Sequence, residues 1–186
     1  MSDFDICKMK TEGLRELLMV ENSRRNTDLI AGLILQKPTL FDELFSIYIK
    51  DEEPVSRRAA WVAEVVTEKN PDLLIPFIEQ IVSRMKTFTH DGMKRESLKM
   101  LARSPLHVEN LGQLINICFN WLTAGRESVA VKMFSMEVLY RISQQVPEIK
   151  KELADSIEWR IQYERPGFRA HGNRVLKQLS VELQGI

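Results

Sequence analysis

What most constrains this chain is that it repeats itself with a period near 38 residues. Set in one column, Val55, Met93, Val131 and Phe168 lie 38, 38 and 37 residues apart. Four positions later stand Ala59, Ser97, Ser135 and Gly172, all small. Seven later stand Val62, Met100, Val138 and Val175, all apolar, and eight later Ala63, Leu101, Leu139 and Leu176. A second column agrees independently: Pro71, Glu109 and Pro147 are followed in step by Leu73, Leu111 and Ile149, then by Phe77, Ile115 and Leu153. The two columns keep a constant offset of 16 residues, so each period holds two elements. Both have helical spacing. Leu74, Phe77, Ile78, Ile81, Val82 and Met85 form one stripe at i, i+3, i+4, i+7, i+8 and i+11, which a strand would scatter over two faces. No hairpin turn signal separates alternating runs, and Asp91-Gly92 reads as a loop and helix cap.

An earlier, looser copy begins at Ser23. The pattern predicts ten helices in five pairs: about 9–20 with 22–36, 38–50 with 54–68, 71–87 with 91–103, 107–123 with 127–145, and 147–164 with 166–183. A lone pair cannot bury its apolar stripe, so neighbours must stack. The expected architecture is all-α: a single domain over 1–186, wound as a right-handed α-α superhelix (solenoid) of about five antiparallel pairs. The small residue four past each anchor lets the second helix of a pair approach its neighbour closely.

Composition narrows the class of partner. The chain has 26 basic and 26 acidic residues, so no global charge draws it to nucleic acid or to an anionic membrane. Its longest apolar run, Leu29 to Leu35, is far short of a membrane span, and Met1 to Asp5 do not read as a secretory signal. Cys7 and Cys118 make neither a disulfide framework nor a zinc site, so a cytoplasmic location is expected.

A two-helix repeat of this length, with a small and a basic residue in its second helix, resembles HEAT and armadillo-like repeats from about Ser23 to Leu183. That resemblance implies a binding scaffold. More narrowly, "RRAAWVAEVV" (57–66), "HDGMKR" (90–95), "VAVKMFSMEVLYRI" (129–142) and "FRAHGNRVLKQL" (168–179) look like strings of short bacterial helical-repeat proteins that often carry the label adenylosuccinate lyase. The lyase superfamily's flexible loop, Gly-Ser-Ser-x-Met-Pro-x-Lys-x-Asn-Pro, has no counterpart here. The nearest fragment, Phe134-Ser135-Met136-Glu137, lacks the glycine, the second serine and the lysine.

The candidate chemistry lies in the first turn of the second helices, which is basic in every repeat: Arg24 and Arg25, Arg57 and Arg58, Lys94 and Arg95, Lys132, then Arg169. Cations there oppose the helix dipole, so something must offset them. One reading is a basic ridge along a concave face, with Trp61 on it, holding phosphates or an acidic peptide. The other is a ladder of internal pairs with loop acids such as Asp51, Glu52, Asp91 and Glu127; the spacings Asp51 to Arg57 and Glu52 to Arg58 resemble the Asp and Arg ladder of HEAT repeats. Trp61 stands where other repeats place Lys99, Glu137 and Arg174, and either faces a partner or fills a wider gap. Trp121 and Trp159, 38 apart, read as packing or outer-surface residues. Glu64 with Glu68, and Glu137 with Arg141, have the i,i+4 spacing of a solvated face. His90, His107 and His171 show no metal-ligand spacing, so neither a metal nor a cofactor is expected.

These readings favour a non-enzymatic scaffold for a protein or peptide partner. The alternative is a nucleic-acid module, by similarity to HEAT-like DNA-alkylation-repair glycosylases, in which Arg57, Arg58, Lys94, Arg95 and Trp61 would meet the duplex. The neutral overall charge weighs against it. A lyase ranks last, and no membrane is expected.

Overall fold

The computed structural model describes residues 13–106 and 111–184, and all regular structure among them is helical. The readings placed on Cys7, His107 and Glu109, and the first residues of predicted helices 9–20 and 107–123, lie outside the described residues. Ten α-helices follow in order: α1 Leu14–Val20, α2 Arg24–Gln36, α3 Leu40–Ile49, α4 Val55–Lys69, α5 Ile78–Met85, α6 Asp91–Arg103, α7 Leu111–Thr123, α8 Val129–Ser143, α9 Ile149–Ile161 and α10 Pro166–Gln184.

Local chemistry sets several starts. The Ser23 and Ser128 hydroxyls accept hydrogen bonds from the amides of Asn26 and Val131 and cap α2 and α8. For α6 the cap is His90, whose Nδ1 accepts from the Gly92 amide at 2.9 Å, and not the neighbouring Asp91-Gly92. The continuous helix predicted over 71–87 is a 3-10 segment, Pro71–Phe77, followed by α5. Pro76 has no N–H to donate and its ring would strike the carbonyl four residues back, so an α-helix cannot run through it. Phe77 at the end of that segment stacks on Phe45, with ring centroids 4.1 Å apart.

The chain forms two compact units, Met1–Phe77 and Ile78–Ile186. In the first, α3 packs on α4, α2 on α4, and α1 against all three. In the second, each of the pairs α5/α6, α7/α8 and α9/α10 is in contact, and the layers run separately: α6 to α8 to α10, and α5 to α7 to α9. This is tandem stacking. The columns read from the sequence are its core. All four anchors are buried, as are all four small residues and the whole seventh-position column. Gly172 shows why that column is small: a Cβ there would stand 3.0 Å from Ile157 Cγ2 and Ile161 Cδ1. No helix among the described residues is long and apolar enough to cross a membrane.

Candidate functional site

In the second unit the first-turn lysines reach forward to carboxylates of the next pair. Lys94 Nζ in α6 donates to Glu127 Oε1 and Oε2, at 2.7 and 2.8 Å, in the connection between α7 and α8. Lys132 Nζ in α8 donates to Glu164 Oε1 at 2.5 Å, in the connection between α9 and α10. All four residues are buried. The Lys94 ammonium also lies 5.3 Å from the ring centroid of the buried Trp121. Glu164 takes a second cation, Arg160 Nε at 2.7 Å. Burial alone would push Glu164 up, but the hydrogen bonds and charges of Lys132 and Arg160 outweigh it and hold the carboxyl below its ordinary value. These glutamates are what offsets the dipole at α6 and α8.

The remaining cations are engaged more weakly. Arg95 pairs with the adjacent Glu96, which also holds Lys99. Arg169 is exposed, and its Nε donates to the Glu164 carbonyl at 2.7 Å. In the first unit, Arg24 pairs with Asp28 one turn on, at 2.8 Å. Arg57 pairs with Glu53 at 3.1 Å, and Glu52 with Arg15 at 2.8 Å, which replaces the pairing expected from the Asp51 and Glu52 spacings. Arg58 Nη1 donates to the Leu18 carbonyl at 2.9 Å. Its Nε is buried with no hydrogen-bond partner among the described residues, beside a cavity of about 10 Å³ lined by Leu18, Asn26 and Thr27. Arg25 is exposed and engages no other group among the described residues. Trp61 in α4 is half-buried.

Several acids sit elsewhere than their spacing suggested. Glu64 is buried in α4 and not on a solvated face, because that helix is enclosed on most sides. Glu137 turns away from Arg141 toward α10, where His171 Nε2 and Arg174 Nη2 lie 3.3 and 3.2 Å away, while Arg141 donates to the Ala102 carbonyl. Glu164 was missed, although a signal for it exists. The column four before the anchors reads Asp51, Thr89, Glu127, Glu164, and the column one after reads Ser56, Lys94, Lys132, Arg169. Matched one period forward, Lys94 aligns with Glu127 and Lys132 with Glu164, whereas the same offset aligns uncharged Ser56 with uncharged Thr89 and calls for no pair.

Trp121 and Trp159 share a register but not an environment: Trp121 is 9% exposed and Trp159 50%. Cys118 is a free, buried thiol, and that burial pushes its ionisation well above the ordinary value. Among the described residues no group of three or more His, Cys, Asp or Glu side chains could hold a metal ion.

A family profile described as a HEAT repeat domain matches residues 14–179. No curated protein and no solved structure matches the chain.

Proposed function

Because the chain belongs to the HEAT repeat family, whose members are helical scaffolds that typically mediate protein interactions, we propose that it is a non-enzymatic module holding an acidic protein or peptide segment on the first-turn cations of its first unit. The observation that carries this reading is Arg25, an exposed guanidinium with no acceptor among the described residues. Arg24 and Arg57, on helices α2 and α4 that pack together, are tied only to carboxylates one turn away in largely exposed pairs. Such pairs contribute about 0–1 kcal/mol, so an incoming carboxylate can displace them at little cost. Arg58 and Trp61 complete the patch. In the second unit, Arg95 and Arg169 are the exposed cations of the ridge, whereas Lys94 and Lys132 are already neutralised by buried glutamates.

The test is fluorescence anisotropy with a labelled peptide of about ten glutamates, alongside labelled duplex and single-stranded DNA, at low and moderate salt. The peptide is expected to bind. The double variant Arg25→Ala/Arg57→Ala should weaken it by about tenfold without moving the unfolding midpoint. Absence of peptide binding at low salt overturns the reading, and DNA binding that exceeds peptide binding transfers the patch to nucleic acid.

A further inference from the structure

The outer face of α9 has a different character from the basic patch, and its interpretation is independent of that reading. Lys150, Leu153, Ile157 and Arg160 are buried and form the inner stripe of the helix. Opposite them, Glu148, Glu152, Asp155, Glu158, Trp159 and Tyr163 are all exposed. Trp159 and Tyr163 are 50% and 66% exposed, with ring centroids 5.6 Å apart and planes tilted by 56°. Two large neighbouring rings left in water are costly and mark a contact surface more often than a lone exposed apolar residue does. The nearest cation, Arg160, lies 5.7 Å from the Trp159 ring, but its Nε is taken by Glu164. Of the four carboxylates only Asp155 has an ion-pair partner among the described residues, Lys151, at 3.3 Å in a pair exposed on both sides.

The repeat itself does not need this stripe. The preceding first helix, α7, reads LGQLINICFNWLT and has no charged residue, and its equivalent Trp121 is buried under Lys94. Acid and exposed aromatic are therefore particular to α9. Helical spacing sets Glu152, Asp155 and Trp159 along one side of α9 with Glu158 beside the tryptophan, and Tyr163, two residues past the helix end, brings its ring against Trp159. A cation lying on the two ring faces would be held by their quadrupoles and by the adjoining carboxylates together.

We propose that the outer face of α9 docks a short basic segment of a partner protein, with a lysine or arginine side chain on the Trp159–Tyr163 ring pair and further cations along Glu158, Asp155 and Glu152. The sign of the stripe selects the occupant: an acidic peptide or a nucleic acid would be repelled.

The probe is a labelled peptide of about ten residues alternating arginine and alanine, titrated into the full chain by anisotropy and by quenching of tryptophan fluorescence. Saturable binding is expected at roughly 50 mM salt, weakening several-fold at roughly 300 mM. Trp159→Ala/Tyr163→Ala should weaken it by about tenfold, and Asp155→Lys/Glu158→Lys by a similar factor. All four side chains are exposed, and an unchanged unfolding midpoint verifies that the variants fold. The Arg25→Ala/Arg57→Ala protein should bind this peptide normally, which separates failure here from failure of the basic patch. Absence of saturable binding overturns the proposal, as does binding indifferent to the aromatic pair. Light scattering that shows Trp159-dependent self-association without peptide would instead assign the face to a second copy of the chain.

Discussion

Replacing Lys94 with methionine removes the ammonium from Glu127 while keeping most of the apolar stem. Glu127 is left with its side chain 4% exposed and its hydrogen-bond donor gone. Removing one partner of a buried ion pair costs about 3–5 kcal/mol, because the other charge remains out of water. Loss of the ammonium from the Trp121 face adds about 0.5–1 kcal/mol. The parallel change Lys132→Met provides the internal comparison. Glu164 keeps Arg160 Nε at 2.7 Å, so that change deletes one charged hydrogen bond of two and should cost only about 1.5–3 kcal/mol. Replacing both partners of the first pair, Lys94→Met/Glu127→Leu, should recover most of the loss, since neither charge remains to be desolvated. Urea unfolding followed by far-UV circular dichroism measures all of these. With a slope of about 2 kcal/mol per molar urea, the Lys94→Met midpoint should fall by roughly 2–3 M. If Lys94→Met costs no more than Lys132→Met, or if the double change is worse than the single one, the argument from desolvation is wrong.

Three further outcomes concern stability. The Ser135 hydroxyl is buried with no hydrogen-bond partner among the described residues, whereas Ser97 Oγ donates to the Met93 carbonyl at 2.6 Å; Ser135→Ala should therefore raise stability by about 1 kcal/mol, and Ser135→Leu should lower it by about 1–3 kcal/mol through overpacking, both read from thermal melts. The contact with His171, then the charges of His171 and Arg174, hold Glu137 below its ordinary value of 4.5 against partial burial. Because the folded value is the lower one, this contribution is intact above the unfolded value and fades as the pH falls through the folded one. Glu137→Gln should therefore be less stable than the parent at neutral pH, and the gap should close as the pH falls through the lowered folded value in denaturation series. A gap independent of pH refutes that assignment.

The repeat was legible because burial is periodic: the small column from Ala59 to Gly172 is fully enclosed, and no other explanation of four small residues in step is needed. Helix α6 was readable to its ends. Pro76 defeated the stripe argument, since helical spacing of Leu74, Phe77 and Ile78 says which side is apolar but not whether the backbone can hydrogen-bond through a proline. The candidate site was harder. First-turn cations were visible, yet their fate depends on side chains 32 and 33 residues ahead, and acids close in sequence drew attention from Glu164. Trp121 and Trp159 are indistinguishable by register; their surroundings tell them apart, Trp121 lying 9% exposed beside the Lys94 ammonium and Trp159 50% exposed.

The forward reach of Lys94 and Lys132 gives the array a direction. The α7/α8 pair carries a lock, Glu127, at one end and a key, Lys132, at the other, so transplanting it means matching both junctions, whatever its helices look like. Setting that module behind a loop with threonine at the matching place, as Thr89 stands in this sequence, would strand a charge. The order of otherwise interchangeable pieces is thereby written into the chain, and shuffling them would be punished at the seams and not in the interiors.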